Sequence, residues 1–79
     1  MKYQIEMQSL AGRYVVALKD LETGDLVKVF TVNASAAEII RLYRDGLNVD
    51  AITRVISEKY GVSSDLVQTD VEDLLKKIE

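Results

Sequence analysis

Up to Asn33 the apolar positions recur every second residue; beyond it they recur every third or fourth. Tyr3, Ile5 and Met7 alternate with Lys2, Gln4, Glu6 and Gln8, the pattern of a strand with one buried face. The stretch Ser9-Leu10-Ala11-Gly12 breaks that alternation. Arg13 to Leu18 is β-branched and aromatic and predicts a second strand. Asp20 to Asp25 is built of turn residues, with Gly24 free to take positive φ. Leu26 to Val32 predicts a third strand, and two short connections imply an antiparallel meander.

Past Asn33 the spacing is helical. Ser35-Ala36-Ala37-Glu38 has the form of a capping box, with Asn33 a competing cap. Ala36, Ile39, Ile40 and Tyr43 share a face, and Glu38, Arg41 and Arg44 lie outside it. Gly46 is placed to end this helix in the left-handed conformation. Asn48 can cap a second helix, with Asp50 favourably set against its dipole. Its stripe is Val49, Ile52, Val55, Ile56 and Tyr60, and Gly61 ends it. Ser63 or Ser64 caps a third helix whose apolar side is Leu66, Val67, Val71, Leu74, Leu75 and Ile78. The reading is β-β-β-α-α-α in one α+β domain spanning 1–79, with amphipathic helices over one face of a three-stranded sheet.

Composition narrows the chemistry. A chain of 79 residues buries only about 60% of the surface its unfolded form exposes, so small domains often carry disulfides or a metal. This one has no Cys and no His, which removes disulfides, thiolate chemistry, Cys/His zinc sites and Ser-His-Asp or Cys-His nucleophiles. Four isolated glycines make no phosphate-cradling loop. Asp20 to Asp25 opens like a calcium loop, but the closing twelfth position falls on Thr31, inside a strand. The carboxylates Asp45, Asp50, Asp65, Asp70, Glu72 and Asp73 fall on polar faces beside basic neighbours. No catalytic constellation stands out and no cofactor is expected. The net charge is −3, and the whole acidic excess lies after Asn33. Phosphate neutralisation needs clustered cations, so nucleic acid is a poor partner. No apolar run approaches the roughly 18 residues of a membrane span, and the alternation after Met1-Lys2 predicts no signal peptide. The cytoplasm is the default expectation.

The third strand carries the most information. Leu26, Lys28, Phe30 and Val32 point one way; Val27, Val29 and Thr31 point the other. A strand apolar on both faces wants cover on both. Three strands followed by three helices can leave it at an edge, where unpaired N–H and C=O groups recruit other chains unless guarded. Lys28 is one such guard. Either the third helix or a second copy covers this strand, or an incoming peptide pairs with it.

The ordered set behind the three strands resembles the PqqD-like family, named after pyrroloquinoline quinone synthesis protein D. The resemblance is carried by Asn33, by Ala37 and Ile40, and by Asp45-Gly46. It continues with Val49 and Ile52, Tyr60-Gly61, Asp70-Val71 and Leu74. It implies a winged-helix-like fold without DNA binding, and a peptide-binding module that is not a catalyst. Such a module captures the leader of a ribosomally made precursor and presents it to a modifying enzyme, often a radical SAM protein. The resemblance places the leader as a strand beside the third strand, in a groove against the third helix. Leu26, Val27, Lys28, Val29, Phe30 and Thr31 would then supply the ladder. Val27, Val29, Leu66, Val67, Val71 and Leu74 would supply groove walls, with the strand face that meets the groove left open. Asp70 is either a polar contact for the peptide or a solvated helix residue.

Two other readings stand beside this one. A winged-helix DNA-binding regulator would need base-reading cations, whereas the third helix offers Asp65, Asp70, Glu72 and Asp73, with Lys76 and Lys77 only at its end. A small structural domain would pair the same edge with itself as a homodimer.

Overall fold

Two tight turns set the sheet. In the computed structural model, which describes residues 2–78, β1 (Tyr3–Leu10), β2 (Arg13–Asp20) and β3 (Leu26–Val32) lie antiparallel in the order β1-β2-β3. The helices α1 (Ala34–Arg44), α2 (Val49–Tyr60) and α3 (Ser64–Ile78) follow, as the change of period predicts. β1 runs two residues beyond the alternation: Ser9 pairs with Tyr14 and Leu10 with Arg13. The pattern hides this because a serine takes the inward position and a 64% exposed leucine the outward one. Only Ala11-Gly12 remains as turn, at φ 51 and φ 80. Two consecutive left-handed residues are what a right-twisted two-residue hairpin requires. In the second turn Asp20 Oδ1 accepts from the amides of Glu22 (2.8 Å) and Thr23 (3.0 Å). Those amides hold the Asp20 carboxyl below the ordinary carboxylate range, the Thr23 amide contributing most.

The β2–β3 register then slips by one residue. Leu18 faces Lys28 and Lys19 faces Leu26, so Val27 is the extra residue of a bulge. This fixes the faces. Ile5, Val16, Leu18 and Val32 are buried toward the helices, with Phe30 half-buried beside them. Val27 and Val29, each 52% exposed, lie on the opposite face.

Asn33 caps α1, its Oδ1 accepting from the Ala36 amide at 2.9 Å. The helix therefore begins at Ala34, and Ser35 sits inside the first turn. The expected Ser35–Glu38 capping box does not form; the Ser35 hydroxyl donates instead to Asn33 Oδ1. The buried residues of α1 are Ala37, Ile39 and Ile40, with Ala36, Leu42 and Tyr43 packed at their margin. Gly46, at φ 101, ends the element and Asn48 opens α2 by accepting from the Ala51 amide. Within α2 the stripe is narrower than its periodicity: Ile52 and Ile56 are buried, whereas Val55 and Tyr60 are 37% and 49% exposed. Thr53 takes a core position in their place. The Ser63 carbonyl accepts from the Val67 amide, which puts Ser63 rather than Ser64 at the α3 cap position. α3 buries Val67, Val71, Leu74, Leu75 and Ile78 and leaves Leu66 outside, 64% exposed. Leu18, Ile40, Ile52, Ile78, Val16 and Val71 are almost wholly sealed. Each such side chain contributes about 1.5–3 kcal/mol by burial.

Candidate functional site

The hairpin geometry dictates which groups of β3 are free. A two-residue hairpin closes on a hydrogen-bonded pair, here Leu10 and Arg13, and bonded and non-bonded pairs alternate from there. Arg13, Val15, Ala17 and Lys19 thus bond toward β1, leaving Tyr14, Val16 and Leu18 to bond toward β3. Their partners are Val32, Phe30 and Lys28. The N–H and C=O groups of Val29 and Thr31 therefore point away from β2. No further strand lies beyond β3 among the described residues. The third strand is an edge, and its outward ladder is open.

A contact and a trough mark the α3 side of this edge. Lys28, turned inward, reaches the last turn of α3: its Nζ donates to the Lys77 carbonyl at 3.3 Å and sits 5.8 Å from the centre of the Phe30 ring. A cation there complements the helix C-terminus. Just past the end of β3 the trough, a depression of about 270 Å³ between α1 and α3, is lined by Asn33, Ser35 and Ile39 on one side and by Asp70, Asp73, Leu74 and Lys77 on the other. From Lys28–Lys77 to Asn33–Asp70, α3 and β3 run in opposite directions.

The residues nominated from sequence fall into four groups. Leu26, Val27, Val29 and Thr31 are exposed on the edge strand, with the valines on the face away from the helices. Lys28 and Phe30 are the strand residues turned toward α3. Val67, Val71 and Leu74 are 6%, 0% and 9% exposed; Val67 and Val71 are committed to the core, whereas Leu74 also forms part of the wall of the depression. Leu66 and Asp70 are exposed on α3, and Asp70 lines the depression. Asn33, Ser35, Asp73 and Lys77 were not nominated, yet line it too. The signal for the helical part was present in the spacing of Asp70, Asp73 and Lys77, which share one helix edge.

The exposed face of α3 is acidic, with Asp65, Asp70, Glu72 and Asp73 all in solvent. That is the wrong sign for a recognition helix in a DNA groove. No described helix is long and apolar enough to cross a membrane.

Residues that gave the sequence its resemblance hold the architecture. Asn33 caps α1, Gly46 and Gly61 carry the positive φ that ends α1 and α2, and Ala37, Ile40, Ile52, Val71 and Leu74 are in the core. No curated protein matches the chain. Among solved structures it is similar to "TbiB1 in Complex with the TbiA(beta) Leader Peptide", with a TM-score of 0.70 and 24% identity. The likeness covers 99% of this chain and 87% of that one, and at this identity it is a likeness of fold. A family model described as Coenzyme PQQ synthesis protein D (PqqD) matches residues 12–79, from the first turn through α3, and the chain belongs to the PqqD family.

Proposed function

We propose that this chain is a non-catalytic module that captures the leader of a ribosomally made precursor peptide by strand addition and presents it to a modifying enzyme, such as a radical SAM protein. The observation that carries this reading is the open outward ladder of β3 beside the α3 trough. Family membership supports it, as does the fold shared with TbiB1, whose structure holds the TbiA(beta) leader peptide. An added strand bonds to the outward groups of Val29 and Thr31. Its alternate side chains then fall on two faces. One set enters the trough along the Asp70–Lys77 edge of α3; the other extends the open face beside Val27 and Val29. Asp70 is a polar contact at the trough margin in this reading. Leu66 stands at the far end of the helix as an apolar contact. Val67, Val71 and Leu74 act from beneath by holding α3 against the core.

The test is a titration of isotopically labelled protein with the synthetic leader of a precursor encoded beside it. Amide shifts are expected to concentrate in Leu26–Thr31 and along the Asp70–Lys77 edge. Scattered shifts, or none at millimolar peptide, would remove the reading. Protein whose mass rises with concentration, and whose self-association blocks the leader, would show the edge serving a homodimer instead.

A further inference from the structure

A second cleft, of about 320 Å³, lies on the other side of α1. Its functional lining is Ser9, Tyr14, Glu38, Arg41, Arg44 and Tyr60. The two hollows draw on opposite sides of one helix. Ala37, Glu38 and Arg41 face this cleft, whereas Ser35, Ala36 and Ile39 face the trough, and at 3.6 residues per turn these groups are about half a turn apart. The strands contribute likewise: the cleft takes Ser9 of β1 and its cross-strand neighbour Tyr14, away from the β3 edge.

The charges in this cleft do not balance. Glu38 Oε1 accepts from Lys59 Nζ at 2.9 Å and from the Tyr60 hydroxyl at 3.1 Å, and Oε2 accepts from Lys59 at 3.0 Å. Its side chain is only 12% exposed. Both oxygens are thus occupied, and the negative charge is answered by Lys59. Arg41 and Arg44 make no ion pair with any described residue. Arg41 also acts on Glu38 through space, so one carboxylate faces Lys59 and two guanidinium groups spaced three apart, a local excess of positive charge on a chain of net charge −3. Guanidinium forks match carboxylates bidentately, and a tyrosine hydroxyl and a serine hydroxyl stand at the same opening. Met7, Ala34 and Ala37 give the cleft an apolar share. A bare inorganic anion leaves those groups uncovered, while the methylenes and backbone of a polypeptide cover them.

We infer that this cleft receives an Asp or Glu side chain from an acidic segment of a protein partner. The identification of that partner as the modifying enzyme rests on the leader-capture reading. Because the cleft and the trough are on opposite sides of α1, the enzyme and the leader can be held at once.

The test uses the labelled full chain and three probes at matched ionic strength: a blocked Gly-Glu-Glu-Leu-Glu-Gly peptide, its glutamine counterpart, and inorganic phosphate. The Glu peptide is expected to give saturable amide shifts at Ser9, Tyr14, Arg41 and Arg44, with the Gln peptide at least about tenfold weaker and phosphate not saturating. The double variant Arg41→Gln/Arg44→Gln is expected to weaken the Glu peptide about tenfold or more while leaving the leader titration unchanged. Equal binding of the Gln peptide overturns the inference. So does saturation by phosphate at these amides, shifts centred on Lys76 and Lys77, or an unaltered double variant. Loss of the leader titration alone, with the cleft arm intact, instead removes the leader-capture reading.

Discussion

Thr53 is 6% exposed, and its hydroxyl oxygen has no hydrogen-bond partner. A hydroxyl taken out of water without a new bond opposes folding, so removing it at constant shape should help. Thr53→Val is expected to raise stability by about 1 kcal/mol, read from the midpoint of urea unfolding at constant slope. A lower midpoint would show that the hydroxyl has a bond after all. The polar residue at this position also makes the buried stripe of α2 narrower than hydropathy predicts. Hydropathy ranks Val55 and Tyr60 above Thr53, but angular position on the helix decides which of them meets α3.

At the scale of elements the sensitive object is β3. Its outward amides belong to Val29 and Thr31, and its inward ones to Lys28, Phe30 and Val32. Proline removes one donor and is tolerated in sheets where that donor faces solvent. Val29→Pro is therefore expected to keep the fold within about 1 kcal/mol and to weaken leader binding at least about tenfold. Phe30→Pro removes a ladder bond to β2 and is expected to cost about 3 kcal/mol or more. Thermal melts beside leader titrations separate the two. If Val29→Pro unfolds the domain as severely as Phe30→Pro, the Val29 amide bonds to β2 and does not face outward. The order of elements, the caps Asn33 and Asn48, and the terminating glycines Gly46 and Gly61 were legible because each is a local signal. The face of β3 was not. Hydrophobicity favours Val27 and Val29 as trough walls, yet the inward positions go to Lys28 and Phe30. The closing pair at Leu10–Arg13 and the bulge at Val27 set that choice, and neither shows in the pattern of β3 itself.

For the whole molecule, the response to acid rests on two carboxylates, one holding a turn and one joining two helices. Asp20 holds the β2–β3 turn through the Thr23 and Glu22 amides. Glu38 joins α1 to the end of α2 through Lys59 and Tyr60. Both are held below their ordinary range, Glu38 chiefly by the hydrogen bond from Lys59 and Asp20 chiefly by the Thr23 amide. A carboxyl whose folded value is depressed adds stability above its unfolded value, about 4, and loses it as pH falls through the folded value. The melting temperature is therefore expected to be level from pH 7 to 5 and to fall steadily below about pH 4. Lys59 has the opposite sign. Its value is raised by Glu38, so its share is present at neutral pH and fades only in strong alkali. Glu38→Gln is expected to lower the neutral melting temperature and to shallow the acid fall, because one of the two depressed groups is gone. An unchanged acid slope would mean that the pair is screened by solvent, since Lys59 is 55% exposed, and that Asp20 alone carries the pH dependence. The same variant bears on the cleft. Without the Glu38 charge, Lys59 joins Arg41 and Arg44 as an unanswered cation, and the Glu peptide should bind more tightly, a gain that a purely structural pair would not produce.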